Sequence, residues 1–180
     1  MKSPLPLTVL AVCYLSASAA AQSAGTPVSD ALRSSQQRAA KNLVAAAEEF
    51  PADKYGFKPT PAQMTVGEII GHLNQGNDFL CSKISGAEAP KRTELAKTAS
   101  KDQLVARLKE TFQFCETALA KVNDSDLGGK LQLFGKREFT RAQAMFITSD
   151  DWADHYSQLA IYLRLNGLLP PTAKKAVSSE

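Results

Sequence analysis

The chain has 180 residues, 44% of them hydrophobic and 22% charged, and a formal net charge of +3. That length supports one domain with a real core and is too short for two comfortable ones. Lysines and arginines are scattered among acids rather than run together, which argues against a nucleic-acid footprint and leaves a small-molecule substrate or ligand as the expected partner.

Residues 1–21 carry one positive charge at Lys2, an apolar run from Leu5 to Leu15, and small residues ending in Ala19, Ala20 and Ala21. This is the layout of a secretory signal peptide, with cleavage after Ala21 or after Ala19. The apolar run is well short of the ~20 residues a spanning helix needs, so no stable membrane anchor is expected and the product is periplasmic or secreted. Cys13 lies inside the apolar run, and Val12 stands where a lipoprotein box wants a small residue. Export leaves two cysteines, Cys81 and Cys115, in an oxidising compartment, where an even count favours a disulfide. A tight antiparallel hairpin between their helices would hold them too far apart. The long connector between those helices could relieve the offset, and two buried free thiols are the alternative.

Residues 22–28 are small and polar and read as a flexible lead-in. Leu32, Ala39, Leu43 and Ala46 then recur at helical spacing, which predicts a first helix from Ser29 to Glu49. Pro51, Pro59 and Pro61, with Tyr55, Gly56 and Phe57 among them, mark an extended connector. Thr65 and Glu68 form a capping box that opens a second helix, with Val66, Ile69, Ile70, Leu73, Leu80 and Ile84 as its apolar stripe. His72, Gly76 and Phe79 border that stripe, and Gly76 either makes room for a neighbour or is a tolerated imperfection. A polar loop over residues 85–99 is long enough to reach across one end of a bundle.

Ser100 and Gln103 form a second capping box, and Leu104, Leu108, Phe112, Cys115, Leu119 and Val122 continue a third helix. From Asn123 to Phe139, glycines surround a short apolar group at Leu131, Leu133 and Phe134, which suggests a hairpin-like loop or a lid. Thr140 starts a fourth helix that runs to Leu165 or Asn166 and stops at Gly167, with Pro170 and Pro171 beyond. Its expected inward stripe passes through Ala144, Ile147, Thr148, Asp151, His155, Gln158 and Tyr162. Residues 172–180 read as a polar tail. Four capped helices without strand signals predict an all-α four-helix bundle over residues 29–171, a fold whose sites are built from side chains on facing helices.

Asp151 and His155 lie one turn apart, so both side chains lean toward one point. A carboxylate on an inward stripe needs a partner, because burying it alone costs several kcal/mol. With His72, the only other histidine, the pair would make a two-histidine, one-carboxylate set for a divalent metal, with Zn, Ni, Fe or Mn all suited to such donors. The plainer alternative pairs Asp151 with His155 or an arginine and leaves His72 an ordinary helix residue. Asp150 and Asp154 fall on other faces and read as solvated, while Trp152 and Tyr156 read as packing residues.

The stretches Phe57-Lys58-Pro59-Thr60-Pro61, Met64 to Glu68 and Gly71-His72-Leu73, together with His155-Tyr156-Ser157-Gln158, Tyr162-Leu163-Arg164 and Gly167 to Pro171, resemble the DinB-like superfamily of four-helix bundles, grouped with YfiT-like metalloenzymes. The resemblance covers about residues 30–172. It implies that His72 joins a pair on the fourth helix to hold a divalent metal, His155 matching the second histidine of an H-x-x-x-H motif. Asp151 stands where the first histidine is expected, a departure from the three-histidine pattern. Relatives in the superfamily include thiol-dependent transferases and isomerases, so the resemblance permits a hydrolase or transferase. It equally permits a non-catalytic metal-binding, ligand-binding or stress-related bundle, and bundles of this kind often pair as homodimers.

Overall fold

The computed structural model describes residues 25–135 and 137–177. The expected signal peptide at 1–21 lies outside them. Helix α1 spans Pro27–Glu49, α2 Val66–Ser85, α3 Lys101–Leu119 and α4 Arg141–Leu165, with a short α5 at Pro171–Val177. Capping side chains set three of the starts. Thr65, Ser100 and Thr140 each accept a hydrogen bond from the backbone N–H three residues on, and Glu68, Gln103 and Gln143 each accept one from the capping residue's own N–H. Each reciprocal pair satisfies two backbone donors that a bare helix end leaves unpaired.

Cross-helix contacts fix the directions. Arg33 of α1 donates to the carbonyls of Leu119 and Val122, and Lys101 donates to those of Glu48 and Phe50, so α1 and α3 are antiparallel. Helix α2 is antiparallel to α4, with Ile84 beside Arg141 and Met64 beside Tyr162. Between α2 and α3 the order is parallel: Asn74 bonds the Leu104 carbonyl, Asn77 bonds Thr111, and Cys81 meets Cys115. The bundle therefore runs up, down, down, up, and residues 86–100 cross its whole length to start α3 beside the start of α2.

That crossing resolves the cysteine question. Cys81 and Cys115 form a disulfide, their Cα atoms 5.2 Å apart. A parallel pair puts the two C-terminal halves side by side, whereas the tight antiparallel hairpin would have set them at opposite ends. Arg92 holds the crossing segment down, donating to both carboxylate oxygens of Asp78 and to Glu110.

The core lies between the four long helices. Leu43, Phe50, Ile69, Ile70, Leu73, Leu108, Leu159 and Leu163 are almost completely buried, each side chain contributing about 1.5–3 kcal/mol of transfer free energy.

Four expectations need correction. The first helix starts at Pro27, inside the expected lead-in, because proline suits the first helical position and Asp124 accepts from the N–H groups of Val28 and Ser29 and from Ser29 Oγ. Residues 123–139 are not strand-free: β1 Lys130–Leu133 pairs antiparallel with β2 Arg137–Thr140, Leu133 filling the core and Phe134 and Gly135 turning with positive φ. The polar tail is partly the helix α5, whose Thr172 bonds Tyr156 and whose Lys174 reaches Glu49. On α4 the stripe is rotated: Trp152 and Leu159 are buried, while Asp151 and Gln158 are only partly so. The indole carries the largest apolar area on the helix and takes the centre.

Candidate metal centre

Helix α2 presents His72 in its second turn, and the antiparallel α4 brings Asp151 and His155 opposite it. His72 Nε2 is 3.3 Å from Asp151 Oδ1, and His155 Nε2 is 3.3 Å from the same oxygen. The three ligand atoms lie within 4.8 Å of one another. The two imidazoles meet edge to face, with centroids 4.8 Å apart.

Two donors that are each about 2.1 Å from one ion stand roughly 3.0 to 3.4 Å apart at octahedral or tetrahedral angles. Both histidine-to-aspartate separations fall in that interval. The donor set therefore fits a divalent metal in spacing and chemistry: two neutral nitrogens and one anionic oxygen. The three residues singled out in the sequence converge, and together they could bind a metal.

Exposure is graded across the cluster. The side chain of His155 is 7% exposed, that of Asp151 22% and that of His72 50%, so the site is floored by α4 and opens beside α2. Asp151 is thus at the mouth of the bundle, not buried as its expected stripe implied. Gly76 lies one turn beyond His72, and the atom that a Cβ there would meet is Asp151 Oδ2, at 3.7 Å.

Charge couples the residues. Burial works against an ionised Asp151, but the hydrogen bond from His155, with His72 adding to it, holds the carboxyl below the usual carboxylate range. Burial likewise works against a charged His155, yet Asp151 outweighs it and raises the imidazole above its ordinary value. His155 Nδ1 is buried with no hydrogen-bond partner among the described residues. Metal-ligating histidines usually donate that second N–H to an oxygen; here the ring is oriented by packing and by the contact of its Nε2 with Asp151.

Beneath the cluster lies a polar contact that the sequence reading missed. Trp152 Nε1 donates to Asn77 Oδ1 at 2.7 Å, and Asn77 Nδ2 donates to Thr111 Oγ1 at 3.1 Å, all three residues being buried. The available signal was a polar Asn77 on a face otherwise made of Leu73, Leu80 and Ile84. Asp150 and Asp154 are exposed, as expected, with Asp154 accepting from Gln158. A surface cavity of about 420 Å³ lies away from the cluster, between α1 and α3 against Ala40, Val44 and Phe112.

The sequence matches the DinB superfamily over residues 36–159, a span that contains His72, Asp151, His155 and both bridged cysteines. The chain belongs to the DinB superfamily. Solved structures agree on the fold. A DinB-like protein from Bacillus subtilis is 19% identical, with a TM-score of 0.62 over 76% of this chain and 92% of its own. A DinB-like protein from Bacillus cereus is 15% identical, with a TM-score of 0.66 over 79% of this chain and 95% of its own. A conserved protein from Enterococcus faecalis is 16% identical, with a TM-score of 0.62 over 77% and 96%. Among curated proteins no relative matches.

Proposed function

We propose that this DinB-like protein is exported, holds one divalent metal through His72, Asp151 and His155, and acts on a small molecule as a metal-dependent hydrolase or transferase. The observation that carries the reading is the convergence of three donors from two helices at metal-ligand spacing, with one side left open at the half-exposed His72. Zn, Ni, Fe and Mn all suit the donors, and the carboxylate in place of a third histidine favours the harder members of that group. A bound ion would supply Lewis-acid activation of a water or a thiol.

The chain's own residues define what can happen around it. His155 is fixed in the wall of the bundle, whereas His72 can adjust from solvent. Gly76 lies against Asp151 Oδ2, which a Cβ at that position would meet at 3.7 Å. Both described cysteines are in the bridge, so a thiol taking part in transfer would belong to the substrate. The bridge also supports export, since structural disulfides persist in oxidising compartments.

The second reading, a metal-binding bundle without turnover, is favoured by the position of the 420 Å³ cavity, which lies away from the cluster. Calorimetric titration of metal-stripped protein with Zn, Ni, Fe(II) and Mn separates these cases from a purely structural one. The reading predicts one site per chain, lost in His72→Ala with helical content unchanged. Equal binding by wild type and His72→Ala would remove the metal centre and leave a hydrogen-bonded polar cluster.

A further inference from the structure

The three donors come from two helices, so their convergence depends on how α2 and α4 are set against each other lengthwise. Apolar packing sets such a register loosely, because leucines and isoleucines can slide into neighbouring grooves with small changes in buried area. A directional bond between buried groups sets it tightly, because moving it leaves a desolvated donor or acceptor unpaired. Among the described residues, one side chain on the buried face of α2 makes such bonds to both neighbouring helices. Asn77 is 1% exposed, accepts from Trp152 Nε1 of α4 and donates to Thr111 Oγ1 of α3, whose hydroxyl in turn donates to the Leu108 carbonyl.

The positions of these groups tie them to the cluster. Trp152 adjoins Asp151 in sequence, and Asn77 follows Gly76, which faces Asp151. Cys81, one turn beyond Asn77, is bonded to Cys115, one turn beyond Thr111, so α2 is held to α3 twice within two turns. Phe112 packs against the indole, with ring centroids 5.9 Å apart, and restrains it from the α3 side. His155 Nδ1 has no hydrogen-bond partner among the described residues, so the ring depends on packing and on its Nε2 contact with Asp151.

We infer that Asn77 is the positioning residue of the metal centre: through Trp152 it sets the register of α4 on α2 that brings Asp151 and His155 to His72. Its functional meaning rests on the metal reading, but its geometric content does not. It acts through Trp152 and touches none of the three donors' ligand atoms.

The test uses the full mature chain with its disulfide intact, in Trp152→Phe, Asn77→Leu and the double variant. Replacing both partners by apolar groups relieves the unpaired polar atom that each single change leaves behind, so the double variant keeps the fold even where a single one is unstable. Leu32→Ala, a core change on α1, serves as the destabilised control. Two readouts are taken. In metal-free protein, nuclear Overhauser contacts between the His72 and His155 ring protons are expected in wild type and Leu32→Ala, and weakened in the double variant. In protein loaded with Co(II) or Zn, the double variant is expected to lose affinity about tenfold, as changes around a ligand shell do, with an altered Co(II) ligand-field spectrum; Leu32→Ala keeps the wild-type spectrum. Ring contacts that persist in the double variant, or a loss of affinity equal to that of Leu32→Ala, would overturn the inference. Weakened ring contacts in a protein that takes up no metal would uphold the positioning role and remove the metal reading alone.

Discussion

Asp151 Oδ1 faces two imidazoles at the same distance, 3.3 Å, and is the one ligand atom of the cluster in contact with both others. Protonation therefore decides when the cluster can load. His155 must be neutral to coordinate, and although burial favours its neutral form, Asp151 lifts its pKa above the ordinary 6.5 in the metal-free protein. With a raised folded pKa, His155's contribution to stability is complete below its unfolded value, as long as Asp151 stays ionised, and is lost as pH rises through the folded one. A metal gains what the proton loses. As pH is lowered through the raised His155 pKa, which lies above 6.5, Zn affinity is accordingly predicted to fall about tenfold per pH unit for each proton displaced, in competition titrations from pH 8 down to 5.5. A flat profile would show that His155 is not a ligand.

The three donors were legible because only two histidines exist and one of them stands a turn from a carboxylate. The exposure of Asp151 was not, since spacing gives the face of a helix only to within a residue or so, and the indole of Trp152 won the centre of the stripe.

At the scale of elements, the capped starts at Thr65, Ser100 and Thr140 were readable from four-residue signatures that carry their own hydrogen bonds. The start of α1 was not, because its cap comes from Asp124, about 95 residues away in sequence. The hairpin-like loop was suggested by its glycines and short apolar group, but its strands were not: they are four residues each, too short for alternation to stand out, and they are held by pairing and by Leu133. The remote cap makes a prediction. The hydrogen bonds from Ser29, followed by that from Val28, hold the Asp124 carboxyl below its ordinary range even though partial desolvation opposes them. A depressed folded pKa contributes stability that is present above the unfolded value near 3.8 and is lost as pH falls through the folded one. Asp124→Ala should melt below wild type at pH 7, and the gap should close as the pH is lowered past about 3.8. A gap that persists unchanged at pH 2 to 3 would assign the effect to packing instead.

For the whole molecule, the number and order of the four long helices followed from periodicity and caps, but the relative direction of α2 and α3 did not. In sequence, residues 86–100 are compatible with a loop at one end or a crossing of the full length; the parallel contacts of α2 with α3 decide it, and Arg92 pinned between Asp78 and Glu110 holds the crossing in place. That crossing is what lets Cys81 reach Cys115. Closing a loop of 34 residues stabilises by about 3 to 4 kcal/mol in the chain-entropy model, so reduction is predicted to lower the unfolding midpoint markedly while leaving the long helices formed. Intact-mass analysis of protein from the producing cell should show a chain beginning after Ala21 or Ala19 and two hydrogens lighter than its reduced form. A mass that includes Met1, with Cys13, Cys81 and Cys115 all as free thiols, would contradict both the export and the bridge.

The central claim is that His72, Asp151 and His155 hold one divalent ion between α2 and α4. Anomalous diffraction from crystals of the metal-loaded protein, recorded on either side of the absorption edge, tests it most directly. The account predicts a single strong peak bonded to His72 Nε2, Asp151 Oδ1 and His155 Nε2, and no such peak in His72→Ala. A peak bound elsewhere, or three side chains bonded only to one another in crystals grown with excess metal, would contradict it.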